Sequence, residues 1–424
     1  MKFHWFAEVT YPHLGPDFPQ RVDSAWVDVS PALVDSGQVG ETYRMFLRLM
    51  QEADKVGFDG LAVNEHHQTP FAMTPSPNLM ASALAATTEN AAILVIGDSL
   101  ALYNPPIRVA EEMGYLDCLS GGRLIAGFVV GTPMDASYSY GIPPGEIRER
   151  FSEARELIMR GWAAEKPFAF NGKYTQLRYV NPWPRPIQKP PPVWVPGTGS
   201  PETWDLVLDE GYCYGHLAFT GLHTAKPSVD GFWNRVEERG LDVNPNRMAF
   251  TQIICVSDTD AEAEADYHEA VKYFYTHNKI APRFAQGPGY VSARAQRLRA
   301  ETAARSAKNS IVSPSDIQRV AEMDFWELDE KGFIIAGSPE RVRQRVHELA
   351  TTLRVGQLVT CMHFGNLAEE VARKNTTLFG TEVAPHLRSL WSEKPDVWTP
   401  AVSQSRVIAN EARIAGSADQ RAVL

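Results

Sequence analysis

Three short stretches of this 424-residue chain carry the side chains best suited to chemistry. Glu65-His66-His67 sets a carboxylate beside two imidazoles. An imidazole titrates near neutral pH, so a histidine held in a cleft can take or give a proton. The triplet closes the apolar run Phe58 to Asn64, which reads as a strand, and residues at the C-terminal ends of barrel strands face active sites. Successive strand residues point to opposite faces, so at most one of the two histidines turns inward unless the strand has already ended. A hydrogen-bonded core histidine or a surface loop residue also accounts for the triplet. No second His/Asp/Glu pair stands at ligand spacing, so no metal is expected.

Gly197-Thr198-Gly199-Ser200-Pro201-Glu202 follows one strand and opens a helix. Glycines let a ligand approach the backbone, Ser200 can cap, and Pro201 suits a first helical turn. Free amides at a helix start can cradle a phosphate, although a plain capped turn has the same composition. In Leu94 to Leu100 a strand is broken by Gly97-Asp98. Such a glycine marks either a bulge against a ligand or a simple kink at a barrel corner. Tyr138, Tyr140 and Arg150 lie beyond the fourth strand and are candidates to line a pocket, with ordinary packing as the plainer account. Ser120-Gly121-Gly122-Arg123 reads as a structural turn.

Alternating elements must position these residues. Strands are expected at Lys2 to Ala7, Phe58 to Asn64, Ala91 to Leu100, Leu124 to Val130, Pro192 to Pro196, Cys213 to Ala218, Met248 to Val256 and Leu358 to His363. Helical spacing is clearest over Glu41 to Val56, with Phe46, Leu49, Met50, Ala53 and Val56 on one face and Gly57 as the stop. Ser76-Pro77 opens a helix running to about Thr88, and further helices fit Ile107 to Leu119, Glu146 to Trp162, Pro201 to Leu208, Gly231 to Arg239, Ala261 to Tyr275, Pro339 to Thr351 and Ala368 to Leu378. About eight such units favour an α/β (β/α)8 TIM barrel over an open doubly wound sheet, and no GxGxxG follows the first strand. One domain over residues 1–390 is expected. Long insertions follow the first strand (Glu8 to Gly40) and precede the last (Tyr275 to Gly332). The second carries Arg283, Arg294, Arg297, Arg299 and Arg305 and is read as a lid over about 275–332. Residues 391–424 form a C-terminal tail, loose from Pro400 onward. The Pro-rich run Asn181 to Pro192 is read as the lead into a strand in preference to a polyproline ligand.

The formal net charge of −10 disfavours nucleic acid and anionic membranes as partners. Cys118, Cys213, Cys255 and Cys361 form no CxxC pair, and no run approaches ~20 apolar residues, so a reduced cytoplasmic protein without a membrane span is expected.

Taken in order, these pieces resemble the bacterial luciferase-like flavin-dependent monooxygenases. The matching residues are Gly57-Phe58-Asp59-Gly60 leading to Glu65-His66-His67, Arg108-Val109-Ala110-Glu111-Glu112, and Leu116-Asp117 to Arg123. They continue with Arg150-Phe151, Glu153-Ala154, Gly199-Ser200, Gly337-Ser338-Pro339-Glu340 and Phe379 to Pro385. The resemblance spans roughly residues 1–390. It implies reduced FMN as cofactor, O2 and a small organic substrate as reactants, a separate NAD(P)H:flavin reductase as supplier, and a homodimer. It makes His66 the catalytic histidine, sets Glu65, Gly97 and Asp98 beside the flavin, and gives the phosphate to Thr198, Gly199 and Ser200. Two positions depart from bacterial luciferase: Val129 stands at its reactive cysteine, and Val130 at an arginine near the phosphate. Phosphate binding must therefore use other groups. Relatives that use a deazaflavin for hydride transfer, and non-catalytic flavin-binding barrels, are the rival readings. The substrate is not legible in the sequence.

Overall fold

The computed structural model describes residues 1–285, 287–306, 320 and 322–422. Eight parallel strands close into a ring: β1 (Lys2–Ala7), β2 (Gly60–Val63), β3 (Ala92–Val95), β4 (Leu124–Val129), β5 (Val193–Gly197), β6 (Cys213–His216), β7 (Met248–Val256) and β8 (Gln357–His363). The ring shuts where β8 returns to β1, in register from Lys2↔Gln357 to Phe6↔Cys361, with a one-residue shift before Ala7↔His363. This is the (β/α)8 barrel, with all eight expected strands in place.

The strand period of two sorts the side chains. In β1, Phe3 and Trp5 point outward to the helical layer, where Phe3 meets Phe379 at 5.2 Å between ring centroids and the Trp5 indole donates to Thr376 Oγ1 at 2.9 Å. The alternate residues point inward: His4 bonds Gln357 Oε1 on β8 at 2.8 Å, and Phe6 reaches the cavity at the C-terminal end of the barrel. The principal helices are α1 (Ser36–Val56), α2 (Pro77–Thr87), α3 (Ile107–Ser120), α4 (Ile147–Ala163), α5 (Pro201–Glu210), α6 (Leu222–Glu238), α7 (Asp260–His277), α8 (Ala293–Ser306), α9 (Pro339–Leu353), α10 (Glu369–Leu378) and α11 (Ala401–Ala422). Gly57 ends α1 at φ 97°, a left-handed turn that glycine adopts without steric cost.

Four features differ from the sequence expectations. An antiparallel hairpin, Phe168–Asn171 with Gln176–Val180, stands outside the barrel. A short strand, Ile334–Gly337, pairs with Ile253 to Val256 of β7, beyond the stretch that β6 covers. Helix α6 begins at Leu222, because it accommodates Pro227, which the sequence marks as a breaker. The tail is not loose from Pro400: α11 buries Val407, and Asn410 donates to Asp54 O and Lys55 O at the end of α1. Just before it, the Trp398 indole donates to Gly211 O at 2.9 Å, and Trp398 O accepts from the Trp194 indole at 2.9 Å. These bonds strap the chain across the N-terminal end of the barrel.

Both insertions lie at the opposite end. The first holds Trp26, whose indole donates to Asn278 Oδ1 at 3.0 Å just past α7. The second runs past the strand ends into α8; the lid reading also covers residues 307–319, which lie outside the described residues. Among the described residues no helix is long and apolar enough to cross a membrane.

Candidate active site

A cavity of about 230 Å³ opens at the C-terminal ends of the strands. Its wall takes Glu8 after β1, Asn64 to His66 after β2, Ile96, Gly97 and Ser99 after β3, and Val129 to Thr132 with Asp135 at and beyond β4. Pro196, Gly197, Thr198 and Ser200 follow at β5, Leu217 and Phe219 after β6, and Thr251 in β7. Tyr290 to Ser292 and Ala295 of the second insertion close one side. A barrel collects polar groups here because each strand ends in a loop on the same rim.

His66 reaches this cavity and His67 does not; β2 has ended at Val63, and Asn64, Glu65 and His66 all line the wall in succession. The His66 side chain keeps 17% of its surface exposed, with Nδ1 3.0 Å from Asp135 Oδ2. That bond leaves Nε2 for the cavity. Trp26 meets the ring edge-on at 4.5 Å between centroids. Asp135 is fixed in turn: its Oδ1 accepts from the His67 amide at 2.9 Å and its Oδ2 from Thr132 Oγ1 at 3.0 Å. Burial is the largest influence on His66 and disfavours its charged form, but the charge and hydrogen bond of Asp135, with Glu8 and Glu65 adding, raise its pKa above the ordinary value. Asp135 moves the other way: burial opposes ionisation, and His66, the His67 amide and Thr132 outweigh it. The pair is built to carry a proton on the imidazole. Asp135 lacks any sequence motif, and its only signal was its place in the loop after β4.

Glu65 ties the second and third strand ends together. Its Oε2 accepts from the Ser99 amide at 2.5 Å, and its Oε1 meets His67 Nε2 at 2.9 Å and the Tyr103 hydroxyl at 3.3 Å. That hydroxyl also lies 3.1 Å from Asp98 Oδ1. The single phenolic hydrogen is shared between the two carboxyls. Burial, with the charge of Glu65 adding to it, pushes the Asp98 carboxyl well above its ordinary range. Asp98 thus sits behind the cavity wall and does not line it.

Gly97 does line it. The Ile96–Gly97 peptide is cis, and a Cβ on Gly97 would stand 2.3 Å from Gly127 O. A Cβ on Gly127 would stand 1.9 Å from Val95 O. The break in β3 therefore presses one backbone against another, and the chain resumes at Asp98–Ser99, paired with Phe128 and Val129. No side chain intrudes on the cavity at this point.

At the far end, Thr198 and Ser200 face the cavity but Gly199 does not. The Gly199 amide donates to the Tyr214 hydroxyl at 3.0 Å, so it is already used. Ser200 precedes α5 and donates to Glu202 Oε2 at 2.7 Å. Arg148 of α4 donates to Ser200 Oγ at 3.2 Å and to Thr203 Oγ1 at 3.4 Å. Among the described residues this guanidinium meets hydroxyls and no carboxylate within ion-pair distance. Burial lowers its pKa, with Glu202 opposing, yet it stays cationic at neutral pH.

Arg148, not Arg150, is the pocket arginine: two positions along a helix turn a side chain to the opposite side, and Arg150 pairs with Glu146 over the Tyr174 ring on the surface. The tyrosines fall outside as well. Tyr138 is 51% exposed against Phe284, and Tyr140, half exposed, sets its hydroxyl 3.2 Å from His67 Nδ1. Arg283 and Arg294 of the second insertion pair with Asp23 and Asp205 and do not turn to the cavity; the side chains of Arg299 and Arg305 lie outside the described residues.

Residues 24–355 match the family model for luciferase-like monooxygenases, and the chain belongs to that family. It is an enzyme of the monooxygenase class. A 2,5-diketocamphane 1,2-monooxygenase of Pseudomonas putida is 25% identical over 81% of this chain and 93% of its own length. Several other curated relatives are matched over less than two thirds of their length. The oxygenating constituent of 3,6-diketocamphane monooxygenase from P. putida, solved with FMN, shares the fold at a TM-score of 0.63 and 20% identity, covering 91% of this chain and 98% of that one. An F420-dependent secondary alcohol dehydrogenase shares it at a TM-score of 0.60 and 17% identity, covering 92% and 99%. The fold alone thus leaves the cofactor open.

Proposed function

We propose that this chain is the oxygenase component of a two-component system, which takes reduced FMN from a separate NAD(P)H:flavin reductase and uses O2 to insert one oxygen atom into a small organic substrate. The observation that carries this reading is Arg148: a half-buried cation in the cavity wall, beside the start of a ten-residue helix and bonded, among the described residues, only to hydroxyls. A phosphate fits that donor set, with Arg148, Ser200, Thr198 and the first amides of α5 to hold it. Arg148 thereby fills the role left open at Val130. The flat wall at Gly97 and the apolar Phe6, Val129, Leu217 and Phe219 suit a planar ring system.

Bound reduced FMN supplies the electrons and the reactivity toward oxygen. The protein's own work is small by comparison. Asp135 orients His66 and keeps a proton on it, so Nε2 can deliver that proton into the cavity. The second insertion, anchored by the Tyr290 hydroxyl on Gly131 O at 2.8 Å, closes as a lid and keeps water out. The chain pairs as a homodimer through the apolar surface of α2 and α3.

The test is a parallel titration with FMN, riboflavin and the deazaflavin F420, followed by an oxygen-dependent substrate screen with NADH and a generic reductase. FMN should bind at least roughly 10-fold more tightly than riboflavin, because Arg148 and Ser200 together make charge-assisted bonds. Tighter binding of F420 than of FMN would transfer the chain to the hydride-transferring branch of the fold.

A further inference from the structure

One acid in the cavity wall is held, among the described residues, by a single side chain. Glu8 follows β1 and shares the inward parity of His4 and Phe6. It is 5% exposed and stands in the cavity wall. Asn64 Nδ2 donates to Glu8 Oε2 at 2.7 Å, and Thr74 Oγ1 donates to Asn64 Oδ1 at 3.1 Å. Among the described residues nothing else bonds the carboxyl, so Oε1 is left toward the open space.

The titratable groups facing Glu8 are His66 beyond β2, Asp135 beyond β4 and the Cys361 thiol of β8. His66 is committed to Asp135, and no lysine or arginine among the described residues forms an ion pair with Glu8. Burial, with the charge of Asp135 adding to it, pushes this carboxyl above its ordinary range against the pull of His66 and Asn64. A neutral carboxylic acid owns a hydrogen that needs an acceptor, and a buried donor without one is costly. Among the described residues no acceptor bonds Oε1, and the same cavity wall holds the apolar Phe6, Leu217 and Phe219. An apolar molecule with one acceptor oxygen completes the site.

We infer that Glu8 is a specificity-determining residue whose carboxylic acid donates a hydrogen bond to the carbonyl oxygen of the substrate, so that the enzyme prefers small apolar ketones over hydrocarbons of the same shape. The inference rests on the cavity being the oxygenation site.

Cyclohexanone and methylenecyclohexane differ only in C=O against C=CH2 and serve as probes. Their binding to the FMN-loaded protein is measured calorimetrically for wild type, Glu8→Leu and Glu8→Gln across pH. Wild type should favour the ketone, and Glu8→Leu should weaken ketone binding roughly 10-fold while leaving the hydrocarbon unchanged. Glu8→Gln keeps a donor, so it should retain the ketone with an affinity flat in pH, whereas wild type loses it as pH rises through the titration of Glu8. Equal affinity for both probes, or unaltered ketone binding in Glu8→Leu, overturns the inference. A loss of FMN affinity in Glu8→Leu without a change in probe preference also overturns it, because the acid would then face the cofactor. FMN titration of wild type is read separately. If no FMN binds while the flavin-free protein still takes the ketone through Glu8, the oxygenase reading fails and the carbonyl contact stands.

Discussion

At the scale of single residues, the site depends on whether a proton stays on His66. Because Asp135 raises the pKa of His66, the stabilising contribution of this pair is fully present below the ordinary histidine value and fades as pH rises through the elevated one. Asp135→Asn removes the charge and should bring the His66 titration, followed by NMR of the ring, down toward or below the ordinary value. The basic limb of the oxygenation profile should shift to lower pH in step. A His66 titration unmoved by Asp135→Asn would show that another group sets it. His66→Ala should cut product formation by ~100- to 10,000-fold with FMN affinity changed far less, and NADH consumption by the reductase should continue. Near-normal coupled turnover in that variant would reduce the imidazole to packing. Gly97 is a position of another kind. Its missing Cβ is what lets β3 lie against β4, and the obstructing atom is backbone, which cannot swing aside. Gly97→Ala should destabilise the protein by several kcal/mol or force the bulge open, and a melting temperature equal to wild type would refute the close approach.

At the scale of elements, the start of α5 holds an unresolved competition. Ser200 spends its hydrogen on Glu202, while Glu202 also accepts from Ser292 of the second insertion at 2.6 Å. Although burial opposes it, the bonds from Ser292 and Ser200 hold Glu202 in its ionised form. A phosphate arriving beside Ser200 must win that hydrogen from a carboxylate and then sit near the same negative charge. Glu202→Gln should therefore tighten FMN several-fold and leave riboflavin unchanged, and Arg148→Ala should weaken FMN by ~1.5–3 kcal/mol, again without effect on riboflavin. Equal changes for both flavins would move the phosphate elsewhere. This network also shows what the sequence could convey. The eight strands were legible because apolar runs alternated with helical spacing, and Ser200 because it sat between a strand and Pro201. Arg148 was not: nothing in Glu146-Ile147-Arg148-Glu149-Arg150 says which arginine turns inward until the phase of α4 on the barrel is known. Asp98 and Gly199 were legible as a broken strand and a turn, yet Tyr103, five residues on, and Tyr214, in the next strand, claim their polar groups, and neither pairing has a periodic signal. Glu8 was hidden as the first residue of an apparent loop.

At the scale of the whole molecule, two surfaces invite measurement. Leu79 on α2 is 75% exposed, and Tyr115 and Leu119 on the neighbouring α3 are exposed too, as are Trp183 and Ile187. That much apolar side chain on adjacent elements suits a covered face. Sedimentation should give a dimer, and Leu79→Glu with Tyr115→Glu should shift it to monomer at unchanged melting behaviour; a monomeric wild type would remove the pairing. On the opposite rim, limited proteolysis should cut first within the second insertion, about residues 275–332, and FMN with a substrate should protect that stretch. First cuts within barrel strands would contradict the lid.

The register that closes the barrel has a consequence on the ribosome. Residues 2–7 find their partners on one side only at residues 357–363. At a synthesis rate of about 5–20 residues per second, β1 waits roughly 20–70 s for its neighbour to be made. Through that interval Phe3, Trp5 and Phe6, together with one unpaired edge of backbone, stay available to other chains. Yield of this enzyme in a cell should therefore respond more to slower initiation, cooler growth or a holding chaperone than to any gain in the stability of the finished fold.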